Sequence, residues 1–136
     1  IKALLDADQI VIACGGGGIP VMEQGWNLRG ASAIIEKDLA SGLLAKEVDA
    51  DVLMILTSVD NVTLNFGTPQ EKPILHMTVA EARDYMAQGQ FEFASMLPKV
   101  SASVDFIENG KDRSAVITSL EKAKDSLKGL AGTTIR

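Results

Sequence analysis

The sequence predicts an α/β fold: a mainly parallel sheet sandwiched by helices, with a β-hairpin. Three observations carry it. Apolar, β-rich runs ("QIVIAC", "DVLMILT", "RSAVIT") recur along the chain. Stretches with helical apolar spacing separate them, and two of these open on capping-box spacings. Strands alternating with helices pair in parallel, because each helix carries the chain back across the sheet.

In order, Ile1, Leu4 and Leu5 have helical spacing and read as the end of a helix. "QIVIAC" is apolar on consecutive positions, as expected of a strand buried on both faces. A loop is expected from Gly15 to about Ser32. Leu39, Ala40, Leu43, Leu44 and Val48 then mark a helical face starting near Lys37, and "DVLMILT" reads as a second buried strand. Val62, Leu64 and Phe66 alternate before "GTPQEKP" turns the chain into "ILHM", which predicts a hairpin. Thr78 and Glu81 have capping-box spacing, and Gly89 is placed to end the helix they open. Ser95 is placed as the N-cap of a helix burying Val100, Val104 and Ile107. "RSAVIT" is a further strand. Thr118 and Glu121 repeat the capping-box spacing before a short helix that Gly129 stops.

Composition narrows the function. The 136 residues are 46% hydrophobic and 23% charged, enough for one domain with its own core, and they contain no internal repeat or low-complexity linker. Only 4% are aromatic and the net charge is −5, which disfavours nucleic acid as a partner. The apolar runs are too short to span a bilayer. Cys14 is the single cysteine, so no internal disulfide forms; it reads as a small core residue at a strand end in a reducing compartment. No signal peptide precedes the domain, so the cytoplasm is expected. The first residue is Ile1 rather than methionine, which reads as part of a longer protein.

"ACGGGGIPV" places Gly15, Gly16, Gly17 and Gly18 directly after an apolar run. The dinucleotide pattern G-x-G-x-x-G fails there, because its last position falls on Pro20 or Val21. In "GWNLRGAS", Gly25 and Gly30 have P-loop spacing, but Ala31 stands where the lysine must be. What remains is a turn whose backbone N–H groups can bind an anion, or a tight turn with no ligand.

Two lysines are placed against helix electrostatics. In "SMLPKV", Lys99 follows Pro98 near the start of a helix, where the partial positive charge of the backbone disfavours a cation. A bound phosphate reverses that penalty; a solvated lysine on an exposed turn fits the same residues. Lys37, in "EKDLA", is misplaced in the same sense, and two such lysines point to one polyanionic ligand. Asp38, beside Lys37, complements its helix dipole and is placed to hold both side chains or to help position Mg²⁺. The polar residues Thr57, Ser58 and Asp60 end the second strand, where ligands of parallel sheets collect, and are candidates for base or ribose contact. Ordinary turn chemistry accounts for them equally. His76, the one histidine, lies within the hairpin and reads as structural.

These motifs, in this order, resemble carbamate kinase of the amino acid kinase superfamily. The resemblance rests on "IACGGGGIPV", "AIIEKDLASGLLA", "ADVLMILTSVDNVTLNFGTP", "GQF" followed by "SMLPKV", and the closing "SLEKA…GLAGTTI". It implies an amino acid kinase-like C-terminal lobe that binds nucleotide, within a longer enzyme. The activity implied is reversible phosphoryl transfer from carbamoyl phosphate to ADP, with Mg²⁺, in fermentative arginine catabolism, by a cytoplasmic homodimer. It implies that Lys37 and Lys99 act on the transferring phosphoryl group and that Asp38 orients them. Thr57, Val59 and Met96 would surround the nucleoside, with Met96 against adenine. Ser58, Asp60 and Pro98 belong to the same nucleotide-binding set, and Gly15 to Gly18 would line the phosphate side. No residue is assigned as a metal ligand, and the isolated 136 residues are expected to be inactive. The alternatives are a uridylate or acylglutamate kinase and a non-catalytic nucleotide-binding module. Ala94 stands where the family has glycine, Ser32 where it has glutamate and Glu36 where it has aspartate. Ser58 replaces a common aspartate or alanine.

Overall fold

The computed structural model describes all 136 residues. The chain runs α1 (Lys2–Leu5), β1 (Val21–Gln24), β2 (Asn27–Gly30), α2 (Lys37–Glu47), β3 (Val52–Thr57), β4 (Val62–Leu64) and β5 (Lys72–Ile74). It continues β6 (His76–Met77), α3 (Val79–Ala87), α4 (Met96–Glu108), β7 (Ser114–Ser119), α5 (Ala123–Ser126) and β8 (Thr133–Ile135). The main sheet has the order β3-β7-β8-β6. β3 pairs with β7 in parallel along its whole length, and β6 pairs with β8 in parallel; only β7 and β8 are antiparallel. The α/β class with a mainly parallel sheet is therefore observed. No helix is long and apolar enough to cross a membrane.

The core gathers Phe106, Val100 and Val104 of α4 against Leu53 and Ile55 of β3, Ala115 and Ile117 of β7, and Ile135 of β8. α2 is joined to α4 by Lys46 and Asp105 at 2.5 Å, and α3 to α4 by an Arg83–Glu108 pair. α2 and α4 also approach closely at Gly42, where an added Cβ would stand 3.1 Å from the Ala102 carbonyl oxygen and 3.3 Å from its Cβ.

Local signals hold where the partners are local. Thr78 caps α3 with both bonds of the capping box: its hydroxyl accepts from the Glu81 N–H, and the Glu81 carboxylate accepts from the Thr78 N–H. Gly89 follows the helix with φ +69°. The bonds from the Thr78 backbone and then its hydroxyl hold Glu81 below the ordinary glutamate value. A depressed folded-state value means the contribution is complete above the unfolded value and is lost as pH falls through the folded one. Glu81→Ala is thus expected to destabilise at neutral pH and to match the unaltered protein in acid. Urea denaturation at several pH values checks this.

Six expectations are corrected. "QIVIAC" forms no strand: Ile10 and Ile12 are 98% and 99% exposed, because apolar character alone supplies neither a hydrogen-bonded neighbour nor a covering layer. Cys14 is accordingly exposed rather than in the core. Within the expected Gly15–Ser32 loop, β1 and β2 form a hairpin around Gly25 and Trp26, with Gly25 at φ +62°. β3 is buried on one face only; Val52 and Leu56 are exposed. The 62–74 hairpin is present, but His76 leaves it to join the main sheet in β6, where it is exposed. Finally, Thr118 is no cap. It is a buried residue of β7 whose hydroxyl donates to the Asp60 carbonyl, and α5 begins later, after Lys122.

Candidate functional site

At the C-terminal ends of β3 and β7, a cavity of about 490 Å³ opens between the 57–61 loop, the β4–β5 hairpin and the start of α4. Its walls include Thr57, Ser58, Val59, Asp60, Met96 and Lys99. These six sequence candidates come from two segments some forty positions apart. β3 ends and α4 begins at the same edge, because α4 carries the chain back across the sheet before β7 pairs with β3 in parallel. The volume suits a small-molecule ligand of nucleotide size.

Lys99 is the one cationic side chain on that wall. Its Nζ donates to Asp38 Oδ2 at 2.7 Å, with side-chain exposures of 11% and 9% for the lysine and aspartate. The exposed-turn alternative for Lys99 is thus excluded. Asp38 lies in the first turn of α2, where Glu36 caps the helix by accepting from the Asp38 N–H at 3.2 Å. Lys99 lies just inside α4, whose Ser95 hydroxyl donates to Glu92 instead of capping the helix. Two helix starts face each other through this pair. The aspartate offsets the cation that the α4 dipole disfavours. A charge held in this way by a single partner is set in place, with donors remaining on the ammonium for a ligand.

Lys37, one residue before Asp38, is exposed and lines a second hollow of about 270 Å³ with Cys14, Gly15, Gly17 and Ser41. Lys37 and Lys99 therefore wall different depressions, with the start of α2 between them. Gly15, Gly17 and Gly18 have positive φ, as does Cys14 at +66°. At Gly17 an added Cβ would stand 3.0 Å from the Ile35 side chain, so the approach glycine permits there is to the segment entering α2. Gly16, Gly18 and Pro98 line neither hollow.

Sequence reading missed several walls of the larger cavity: Asn61, Thr63, Phe66, Glu71, Gln90 and Phe91. The hairpin was legible, but not that it folds over the cavity. Its tip is held there by Gln90, whose Oε1 accepts from the Asn65 N–H at 2.9 Å. No three His, Cys, Asp or Glu side chains gather where they would hold a metal ion.

Residues 1–119 match the description of the amino acid kinase family. A carbamate kinase-like protein of Escherichia coli is 48% identical over 135 residues, covering 99% of this chain and 44% of that protein. Carbamate kinase 2 of Staphylococcus aureus is 47% identical, over 99% of this chain and 43% of its own length. The chain thus spans less than half the length of these relatives. Among solved structures, a carbamate kinase of Giardia lamblia bound to AMP-PNP superposes with a TM-score of 0.94 at 40% identity, covering 98% of this chain and 42% of that one.

Proposed function

The chain belongs to the amino acid kinase family, and we propose that residues 1–136 form one domain, the nucleotide-binding C-terminal lobe of a longer carbamate kinase. The reaction is reversible. A terminal oxygen of ADP attacks the phosphorus of carbamoyl phosphate, the bond from phosphorus to the carbamate oxygen breaks, and ATP and carbamate leave. The observation that carries this reading is the buried Asp38–Lys99 pair on the wall of a nucleotide-sized cavity. Carbamate as acceptor is favoured by the 47–48% identity to carbamate kinases. A uridylate kinase of Archaeoglobus fulgidus shares the fold at 17% identity and a TM-score of 0.56.

In this reading Thr57, Ser58, Val59 and Asp60 hold the nucleoside, Met96 packs on adenine, and Pro98 shapes the start of α4. Gly15 to Gly18 flank the phosphates. Lys37 and Lys99 approach the transferring phosphoryl group from the two sides of the α2 start, and Asp38 orients Lys99. Phosphoryl transfer needs little covalent help, so fixed positive charge in a cleft shielded from water supplies most of the catalysis. Mg²⁺ enters as part of the nucleotide substrate. The proposal extends to a cytoplasmic homodimer working in fermentative arginine breakdown.

Nucleotide binding is the direct test. ADP or ATP with Mg²⁺ at about a hundred times its Kd is expected to stabilise the chain by roughly 2.7 kcal/mol, whereas NAD is expected to have no effect. A thermal-shift series with ADP, ATP, GTP and NAD reads this. Preference for NAD, or no response to any of the four, overturns the proposal. The 136 residues alone are expected to stay near background in a coupled assay for ATP formation, since orienting the acceptor contributes several kcal/mol to such rates.

A further inference from the structure

We propose that Ser119 is a positioning residue that sets the Asp60 carboxylate to accept a hydrogen bond from a ribose hydroxyl of the bound nucleotide; this rests on the nucleotide-binding reading above. Ser119 ends β7 and is buried, and its Oγ donates to Asp60 Oδ1 at 2.5 Å. Asp60 walls the cavity, and its other oxygen, Oδ2, accepts no bond within the chain.

The backbone around Asp60 is held by β7 and β8 as well. The buried Thr118 hydroxyl donates to the Asp60 carbonyl at 3.2 Å. Two residues on, the Val62 N–H donates to the hydroxyl of Thr133, the first residue of β8, at 2.8 Å. That hydroxyl in turn donates to the Ile74 carbonyl at 2.5 Å. Thr133 stands directly opposite Ile117 in the β7–β8 ladder, so the three hydroxyls come from the paired ends of two adjacent strands. Gly132 leaves room for the Thr118 side chain: its φ is +80°, and a Cβ there would stand 2.9 Å from the Thr118 Cβ. The loop is thus pinned by these bonds, while Asp60, an exposed residue of the cavity wall, keeps one carboxylate oxygen that accepts no bond within the chain. A carboxylate held by one oxygen is an acceptor with a fixed direction, which is what recognition of a sugar hydroxyl requires.

The test compares binding of ADP with 2′-deoxy-ADP and 3′-deoxy-ADP by calorimetry, using the unaltered chain, Ser119→Ala, Ser119→Thr and Asp60→Asn. The unaltered chain is expected to prefer ADP over at least one deoxy analogue by about tenfold or more, the range for a hydrogen bond to a charged group. Ser119→Ala and Asp60→Asn are expected to abolish that preference by weakening ADP alone, and Ser119→Thr to retain it. Equal weakening of all three nucleotides by Ser119→Ala overturns the proposal, because a purely structural role does that. Binding without ribose discrimination in the unaltered chain overturns this inference and leaves nucleotide binding intact. Absence of all nucleotide binding overturns both.

Discussion

Asp38→Ala is expected to destabilise the protein by about 3–5 kcal/mol, because it leaves the Lys99 ammonium uncompensated in a nearly buried position. The exposures of 11% and 9% decide the magnitude. An ion pair in open solvent contributes only about 0–1 kcal/mol, since water screens both charges. The same loss is expected on the order of 10 °C in Tm for a chain of this size. Replacing both partners, as Asp38→Leu with Lys99→Met, is expected to recover most of the stability, since no unpaired charge remains. Urea denaturation of the two single variants and the double variant measures the coupling. A change below about 0.5 kcal/mol for Asp38→Ala would show the pair to be screened by water.

The second large effect is on turnover. In a full-length carbamate kinase carrying these residues, Lys99→Ala is expected to lower kcat by about 10²–10³ or more, the range for losing one electrostatic partner of a transition state. KM for nucleotide should change far less, if the ammonium acts chiefly on charge that develops during transfer. Lys99→Arg should rescue poorly, because a planar guanidinium cannot occupy the place of a compact ammonium beside Asp38. Steady-state kinetics of the three proteins, with urea denaturation to separate folding from chemistry, gives the result. A Lys99→Ala enzyme with unchanged kcat would remove Lys99 from the reaction.

What could be read in advance follows the range of each interaction. The Thr78–Glu81 box and the start of α2 at Lys37 were legible, because both partners lie within one helical turn. Lys99 was legible for a different reason: a cation at a helix start is locally unfavourable, and the structure supplies Asp38 as the remote compensation. Burial is not local. "QIVIAC" has the composition of a buried strand and lies exposed, whereas the three-residue β8, hidden among glycines and threonines, enters the middle of the sheet. Thr118 shows the same limit from the other side. Its spacing to Glu121 imitates a cap, but its hydroxyl bonds Asp60, fifty-eight positions away. The bonds from Thr118, Ser119 and Thr133 to the 60–62 segment were invisible to motif reading because they form only once β7 and β8 take their places in the sheet.

The close approach of α2 and α4 at Gly42 and Ala102 acts as a spacer for the Asp38–Lys99 ion pair. Gly42 lies one turn beyond Asp38 on its helix, and Ala102 lies just under one turn beyond Lys99 on the other. The carboxylate and the ammonium are therefore separated by a gauge made from the smallest side chains available. Thickening that gauge by a methyl at Gly42 would push against a backbone carbonyl at 3.1 Å, which cannot swing aside as a side-chain end can. The helices would part by a few tenths of an ångström at the point from which the ion pair is hung. A residue that belongs to neither charge thus becomes a calibration point for the pair, adjustable without altering either charged group.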